Sequence, residues 1–320
     1  MPGRVHGGCG GGKAGGVGGK ADDAGGCGEV GGFRQKFDSL KTEIDAVLAT
    51  KLPAFRYGGQ ALLGDAMRYS VTAGGKRIRG VLALAVCELL GGERGAALTV
   101  ACAIEYIHAY SLIHDDMPCM DDDDYRRGKP SCHKAFGEGI AMLAGDSLLN
   151  LAFELLLDYA AKSRFSDGDS RRRFIEAAAF IAAASGARGM AGGQAIDLTA
   201  RNPAGEELEN LRRLKTGRLF EAAVLAPAIC CGADRGDYAA LEEYARGLGL
   251  AFQITDDLLD ITGETGETDE TGGASDANGA ETAAQRLDGI AAKAAASLSR
   301  FSGRADFLLD ILKFIIRRTE

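Results

Sequence analysis

The sequence predicts an all-α fold, a single bundle of about ten helices. Three observations carry that reading. From Phe33 onward, apolar residues recur at intervals of three and four. Ala and Leu dominate these stretches, and the Val, Ile and Thr alternation of a half-buried strand is missing. Glycine pairs or proline mark most joints, as at Gly91-Gly92 and Asn202-Pro203. Many helices with short connections leave bundle packing as the architecture.

Taken in order, residues 1–32 stand apart. Fifteen of them are glycine, and such a segment cannot bury enough surface to offset the entropy of ordering it. It reads as a disordered tail before a folded domain spanning 33–320. Its run G-G-G-K-A-G-G-V-G-G-K lacks the G-K-[ST] ending and preceding strand of a phosphate loop. Helical spacing then predicts elements over 33–50, 60–72, 78–90, 95–114, 137–161, 171–189, 205–231, 235–261, 281–301 and 304–318.

Composition narrows the function classes. At 320 residues and 46% hydrophobic content the chain has ample material for a core, and a net charge of −8 argues against nucleic acid as a partner. No uninterrupted apolar run reaches the length of a membrane span, and the N-terminus lacks the apolar core of a signal peptide. Eight cysteines form no C-x-x-C pair and no zinc spacing, which suits a reducing, cytoplasmic setting.

The chemistry concentrates in two acidic stretches. In the first, H-D-D-M-P-C-M-D-D-D-D-Y-R-R, the carboxylates Asp115, Asp116, Asp121, Asp122, Asp123 and Asp124 follow an apolar helix, and Arg126 and Arg127 follow them. A solvated acidic loop is the plain alternative. A calcium loop counted from Asp121 fails, because Arg126 and Cys132 stand where Gly and a bidentate Glu belong. Carboxylates ending an apolar helix call for a neutralising cation. Mg²⁺ prefers one or two carboxylates plus substrate phosphate oxygens, and guanidinium forks match phosphate. Asp115 and Asp121 would diverge on a continuous helix, but Pro118 can break it and let them converge. The second stretch is F-Q-I-T-D-D-L-L-D, in which Gln253, Asp256 and Asp260 share one helical face. Two such motifs with basic residues between them suggest a Mg²⁺–diphosphate site.

These motifs, D-D-x-x-x-x-D at Asp115, Asp116 and Asp121 and D-D-x-x-D at Asp256, Asp257 and Asp260, resemble those of the trans-prenyl diphosphate synthases, most of all the bacterial farnesyl diphosphate synthases. The resemblance runs from about Phe33 to the C-terminus. It implies helices around a central cavity, a homodimer, and condensation of isopentenyl diphosphate with an allylic diphosphate. Metal ligands would be Asp115, Asp116, Asp121, Asp256 and Asp260, holding about three Mg²⁺. Lys76 and Arg79 of G-G-K-R-I-R, with His108 and Arg127, would bind isopentenyl diphosphate; Arg126, Lys215, Thr216 and Gln253 would attend the allylic diphosphate. In R-R-L-K-T-G-R-L-F, Lys215 and Thr216 would act beside a local helix break eased by Gly217. An aromatic at Tyr110, with small Ser111 beside it and the two-residue insertion in the first motif, implies arrest at a farnesyl product, with geranylgeranyl as the alternative. Gly192 and Gly193 are costly inside a helix and predict a close helix approach or kink, and Gln194 and Asp197 are candidates to line the cavity.

One region departs from the family pattern. Glu270 and Ala280 stand where diphosphate-binding lysines are expected, and a carboxylate near phosphate is repulsive. That departure motivates a second reading, a catalytically weakened or regulatory subunit. A terpene cyclase is a third, although it has no need of G-G-K-R-I-R.

Overall fold

The computed structural model describes residues 26–201, 203–262 and 275–317, with side chains from residue 31 onward except 260–262 and 275–282. Most of the expected tail therefore lies outside the described residues. Its boundary moves, however: the first helix, α1, begins at Gly26 and runs to Lys51.

The described chain is helical nearly throughout. After α1 come α2 (Gly58–Thr72), α3 (Ile78–Leu89), α4 (Arg94–Asp115), a short hairpin β1 (Tyr125–Arg126) and β2 (Lys129–Pro130), α5 (Cys132–Phe136), α6 (Glu138–Lys162) and α7 (Gly168–Ser185). Then follow α8 (Met190–Thr199), α9 (Gly205–Arg212), a π-helical turn over Arg213–Gly217, α10 (Arg218–Cys231), α11 (Arg235–Thr262), α12 (Ser275–Ser297) and α13 (Asp306–Ile316). The all-α expectation holds, and most of the predicted helices appear close to their predicted bounds. Periodicity did not separate α5 and α8 as helices of their own. The hairpin, too short to alternate, is an element that reading lacked.

Two helices form the middle of the bundle. On α4, Val100, Ala101, Ala103, Ile104, Tyr106 and Ile107 are buried, and α4 packs on α3, α6 and α10. On α10, every residue from Leu219 to Ala228 is buried. Each large aliphatic side chain so buried contributes about 1.5–3 kcal/mol. By length and composition α4 and α6 are apolar enough to cross a membrane, but α4 is a core helix here, mostly enclosed by its neighbours.

Local chemistry explains where the site-bearing helix starts and stops. The Glu93 carboxylate accepts from the Gly95 and Ala96 amides at 2.7 and 2.6 Å, capping α4. At its other end Asp115 is the last helical residue, and the chain turns through Met117 before Asp121. About six turns of largely apolar helix thus deliver a carboxylate to one end of the core.

Candidate active site

The end of α4 folds back on itself. The Asp121 amide donates to the Asp115 carbonyl at 2.9 Å, and those of Met120 and Asp122 donate to Met117 at 2.8 and 3.2 Å. This closed turn brings Asp121 near enough for its charge to act on Asp115, as the break at Pro118 predicted. Burial pushes the Asp115 carboxyl up to about 6; Lys215 opposes the rise, Asp121 adds to it, Arg126 opposes it and Asp116 adds to it. Burial likewise raises Asp116, whose carboxylate is almost fully enclosed and accepts from Arg126 Nε at 2.8 Å and from its Nη2. In this state Asp116 serves Arg126.

The hairpin divides the two arginines. Arg127 and Gly128 both take positive φ, +55° and +72°, between paired Arg126 and Lys129, a type I′ turn. Arg126 reaches back to Asp116 and, at 2.8 Å, to Asp123. Arg127 goes the other way and donates to the Gly74 carbonyl. One tight turn therefore gives one guanidinium to the acidic motif and the other to the G-G-K-R-I-R segment.

That segment forms a cationic pole. His108, on α4, is held well below the ordinary histidine range, first by burial and then by Arg79, Arg127, Arg77 and Arg126. Arg79 stacks over Phe220 at 4.3 Å from the ring centre. Arg79, His108 and Arg127 are therefore gathered, while Lys76, one residue before the turn into α3, is exposed. Arg77 has a different task. It adopts a left-handed φ of +53° at the start of α3, donates to Asp45 at 2.8 Å, and pairs with buried Glu105 at 3.3 Å. Sequence gave no means of separating this anchoring arginine from Arg79. A cleft lined by His108, Leu112, Asp116, Arg126, Arg127 and Ser131 joins the cationic pole to the acidic one.

The predicted helix break is a π turn. In Arg213–Gly217 the Arg218 amide donates to the Arg213 carbonyl five residues back, which leaves carbonyls without their α-helical donors. Gln253 Nε2 donates to one of the carbonyls beside the break, Arg212 O, at 2.9 Å. Gln253 is thus a brace of the turn, and Asp257 pairs with Arg212 at 2.6 Å. Glycines allow the turn its neighbours. A Cβ on Gly193 of α8 would lie 2.2 Å from the Lys215 amide nitrogen, and one on Gly249 of α11 would lie 3.1 Å from Gly217 Cα. The expected close approach at Gly193 is real. Lys215 pairs with Asp197 across it, and the same ammonium acts on Asp115. Thr216 is half-buried beside it. The first motif, through Asp115, and the second, through Gln253 and Asp257, thereby border one π turn. The Asp256 side chain is half-buried; that of Asp260 lies outside the described residues, as do Glu270 and the side chain of Ala280.

Tyr110 is buried under the acidic end, its ring 5.7 Å from His114 and edge-on. Burial and the Asp115 charge push its phenol up to about 12. Ser111 donates to the His108 carbonyl at 3.0 Å. Gln194 has both amide atoms buried with no hydrogen-bond partner. The donor set suits a hard cation: several carboxylates crowd a desolvated helix end, and burial resists their ionisation. The predicted ligands do not gather around a single point. Among the described residues, the group close enough to share one ion is Asp122, Asp124 and His133. His133 and Asp123 were missed, one for want of a spacing signal and the other hidden within a run of four aspartates.

A helical bundle with an acidic helix end, a basic π turn and a separate arginine pole defines an isoprenoid synthase fold. Solved structures agree: an FPP/GFPP synthase from Zymomonas mobilis superposes with a TM-score of 0.78 at 40% identity, covering 89% of this chain and 99% of that one. A geranyltransferase from Legionella pneumophila does so at 0.78 with 30% identity, covering 91% and 99%. The polyprenyl synthetase family model matches residues 60–284, and the chain belongs to that family. A farnesyl diphosphate synthase of Geobacillus stearothermophilus is 46% identical over 231 residues, 72% of this chain and 75% of that protein. The large subunit 1 of a heterodimeric, chloroplastic geranylgeranyl pyrophosphate synthase from Arabidopsis thaliana is 48% identical over 203 residues, 62% of this chain and 54% of that one. The chain spans 54%, 63% and 59% of the lengths of three plant relatives it matches.

Proposed function

We propose that the chain is a head-to-tail prenyltransferase that condenses isopentenyl diphosphate with dimethylallyl and then geranyl diphosphate to give farnesyl diphosphate. The observation that carries this reading is the convergence of Asp115 and Gln253, from the two aspartate motifs, on the π turn holding Lys215, beside an arginine pole. In this reading Asp115, Asp121, Asp256 and Asp260 would hold Mg²⁺, with Asp116 joining once Arg126 releases it. When bound, Mg²⁺ neutralises the allylic diphosphate and makes it a leaving group.

The chain's own residues supply the rest. Lys215 and Arg126 exchange Asp197 and Asp116 for the allylic diphosphate and stabilise charge as it develops. The Thr216 hydroxyl and the carbonyls freed at the π turn face the developing allylic cation. Arg79, Arg127 and Lys76 hold isopentenyl diphosphate with its double bond toward that cation, and His108 beside them is neutral, able to donate one N–H. The apolar helices exclude water that would quench the cation. The allylic carbon–oxygen bond breaks first, the isopentenyl double bond then forms the new carbon–carbon bond to the allylic cation, and the proton lost from the isopentenyl unit goes to the departed diphosphate. Tyr110 blocks further growth at the bottom of the well.

The proposed assembly is a homodimer in a reducing, cytoplasmic setting. Exposed Leu143 and Leu157 on α6 supply apolar surface for such an interface. Two alternatives rest on specific observations. The relatives include synthases named for geranylgeranyl products, and Glu270 and Ala280 replace expected lysines. Incubating the purified chain with Mg²⁺, isopentenyl diphosphate and dimethylallyl diphosphate separates these readings. A fifteen-carbon diphosphate is expected. A twenty-carbon product replaces the chain-length assignment, dimerisation without turnover supports the regulatory subunit, and a cyclic hydrocarbon overturns prenyl transfer.

A further inference from the structure

Beside the acidic motif lies a cluster that the proposed reaction does not use. One oxygen each of Asp122 and Asp124 and one ring nitrogen of His133 all lie within 4.8 Å of one another. His133 is the second residue of α5 and is only 5% exposed. Its Nδ1 is 3.0 Å from the hydroxyl of Ser131, itself 1% exposed. Its Nε2 is buried and has no hydrogen-bond partner. An enclosed imidazole nitrogen left without a partner is costly in an ordinary core. With two carboxylates beside the ring, it has a use.

We propose that Asp122, Asp124 and His133 form a second cation site, selective for a first-row divalent transition ion over Mg²⁺. The imidazole is the discriminating donor, because nitrogen suits Zn²⁺, Co²⁺ and their neighbours while Mg²⁺ demands oxygen. Three protein ligands leave a coordination position for water. Ser131 is the orienting partner. Nδ1–H donates to its hydroxyl, which fixes the ring and presents the Nε2 lone pair to the metal. Backbone geometry supports the cage. Asp122 takes a left-handed φ of +54°, and the Ser131 amide donates to the Asp124 carbonyl at 2.9 Å, tying the acidic turn to the start of α5. Lys134 pairs with one oxygen of Asp124 at 2.6 Å, and the carboxylate has a second oxygen for the ion. An occupied site clamps the Asp121–Asp124 turn to α5 and so stiffens the segment that carries Asp121.

Co²⁺ is a suitable probe, because its absorption separates oxygen and nitrogen coordination from thiolate coordination by the chain's cysteines. The chelator-stripped full chain is titrated with Co²⁺ alone in a large excess of Mg²⁺, which holds the oxygen-only positions. One equivalent per chain is expected, without a thiolate charge-transfer band. Asp122→Asn combined with Asp124→Asn should abolish it; both side chains are exposed, and circular dichroism confirms folding. Ser131→Ala should weaken binding by about 10–100-fold. Asp115→Asn with Asp121→Asn should leave it intact. No Co²⁺ retained against Mg²⁺, retention by the Asp122/Asp124 variant, or loss in the Asp115/Asp121 variant each overturns the proposal. None of these readouts depends on turnover, so the site stands or falls separately from the proposed activity.

Discussion

His108 and Asp115 lie seven residues apart on α4, about 10 Å at 1.5 Å per residue, and both are shifted first by burial. Beyond burial the two diverge. The charges acting most strongly on His108 are arginines, and they push the same way. Around Asp115 the charges alternate, with Lys215 and Arg126 opposing Asp121 and Asp116. One pole is cationic as built and can take a diphosphate directly. The other is acidic and desolvated, and accepts a diphosphate only with added positive charge. In the proposed reaction, that difference would separate a directly held substrate from a metal-bridged one within a single helix length.

The largest expected effect breaks the acidic pole. Asp115→Asn should lower kcat by about 10²-fold or more, measured with saturating substrates, and should raise the melting temperature of the metal-free protein, since it removes a carboxylate whose ionisation burial opposes. Breaking the cationic pole should act differently. Arg127→Ala should raise KM for isopentenyl diphosphate by about tenfold, equivalent to about 1.4 kcal/mol, with a smaller change for the allylic substrate. Equal effects on both substrates would erase the distinction. Gly193→Ala tests the π turn without touching a charge. Its Cβ would strike the Lys215 backbone, costing about 1–3 kcal/mol in a denaturant titration and slowing turnover through Lys215.

The smallest effects sharpen the comparison through pH. The Asp115 pKa is raised from 3.8 to about 6, so its contribution to stability is full below the lower value and is lost as pH rises through the upper one. The melting-temperature advantage of Asp115→Asn in metal-free buffer should therefore grow across that window. His108 is shifted down, so the native state resists its protonation and stability falls as pH drops through the ordinary histidine range. His108→Gln should flatten that acid-side loss. Slopes of the same sign for both variants would contradict the two-pole description.

Much of this was legible in the sequence, for reasons that differ by element. The long helices announced themselves because an apolar face repeats over several turns. The turn joining Asp115 to Asp121 followed from Pro118, whereas the break near Thr216 came from the family resemblance. The hairpin at Tyr125–Pro130 was not legible, since two-residue strands have no alternation to read. The different tasks of Arg77 and Arg79 were hidden too. Only the positive φ of Arg77 and its buried partner Glu105, 28 positions along the chain, set them apart. Gln253 was placed beside the allylic diphosphate by family pattern, whereas its amide braces the Arg212 carbonyl. The substituted positions Glu270 and Ala280 lie where no side chain is described, and their cost rests on the lysine-restoring variants Glu270→Lys and Ala280→Lys.

The central claim is that positive charge must be supplied at Asp115 and is already present at His108. Calorimetric titration of geranyl diphosphate into the chain, with Mg²⁺ and then with chelator, tests it most directly. Binding should be tighter with Mg²⁺ by about tenfold or more, and Asp115→Asn should remove most of that gain. Equal affinity with and without the metal, or a gain untouched by Asp115→Asn, would contradict it.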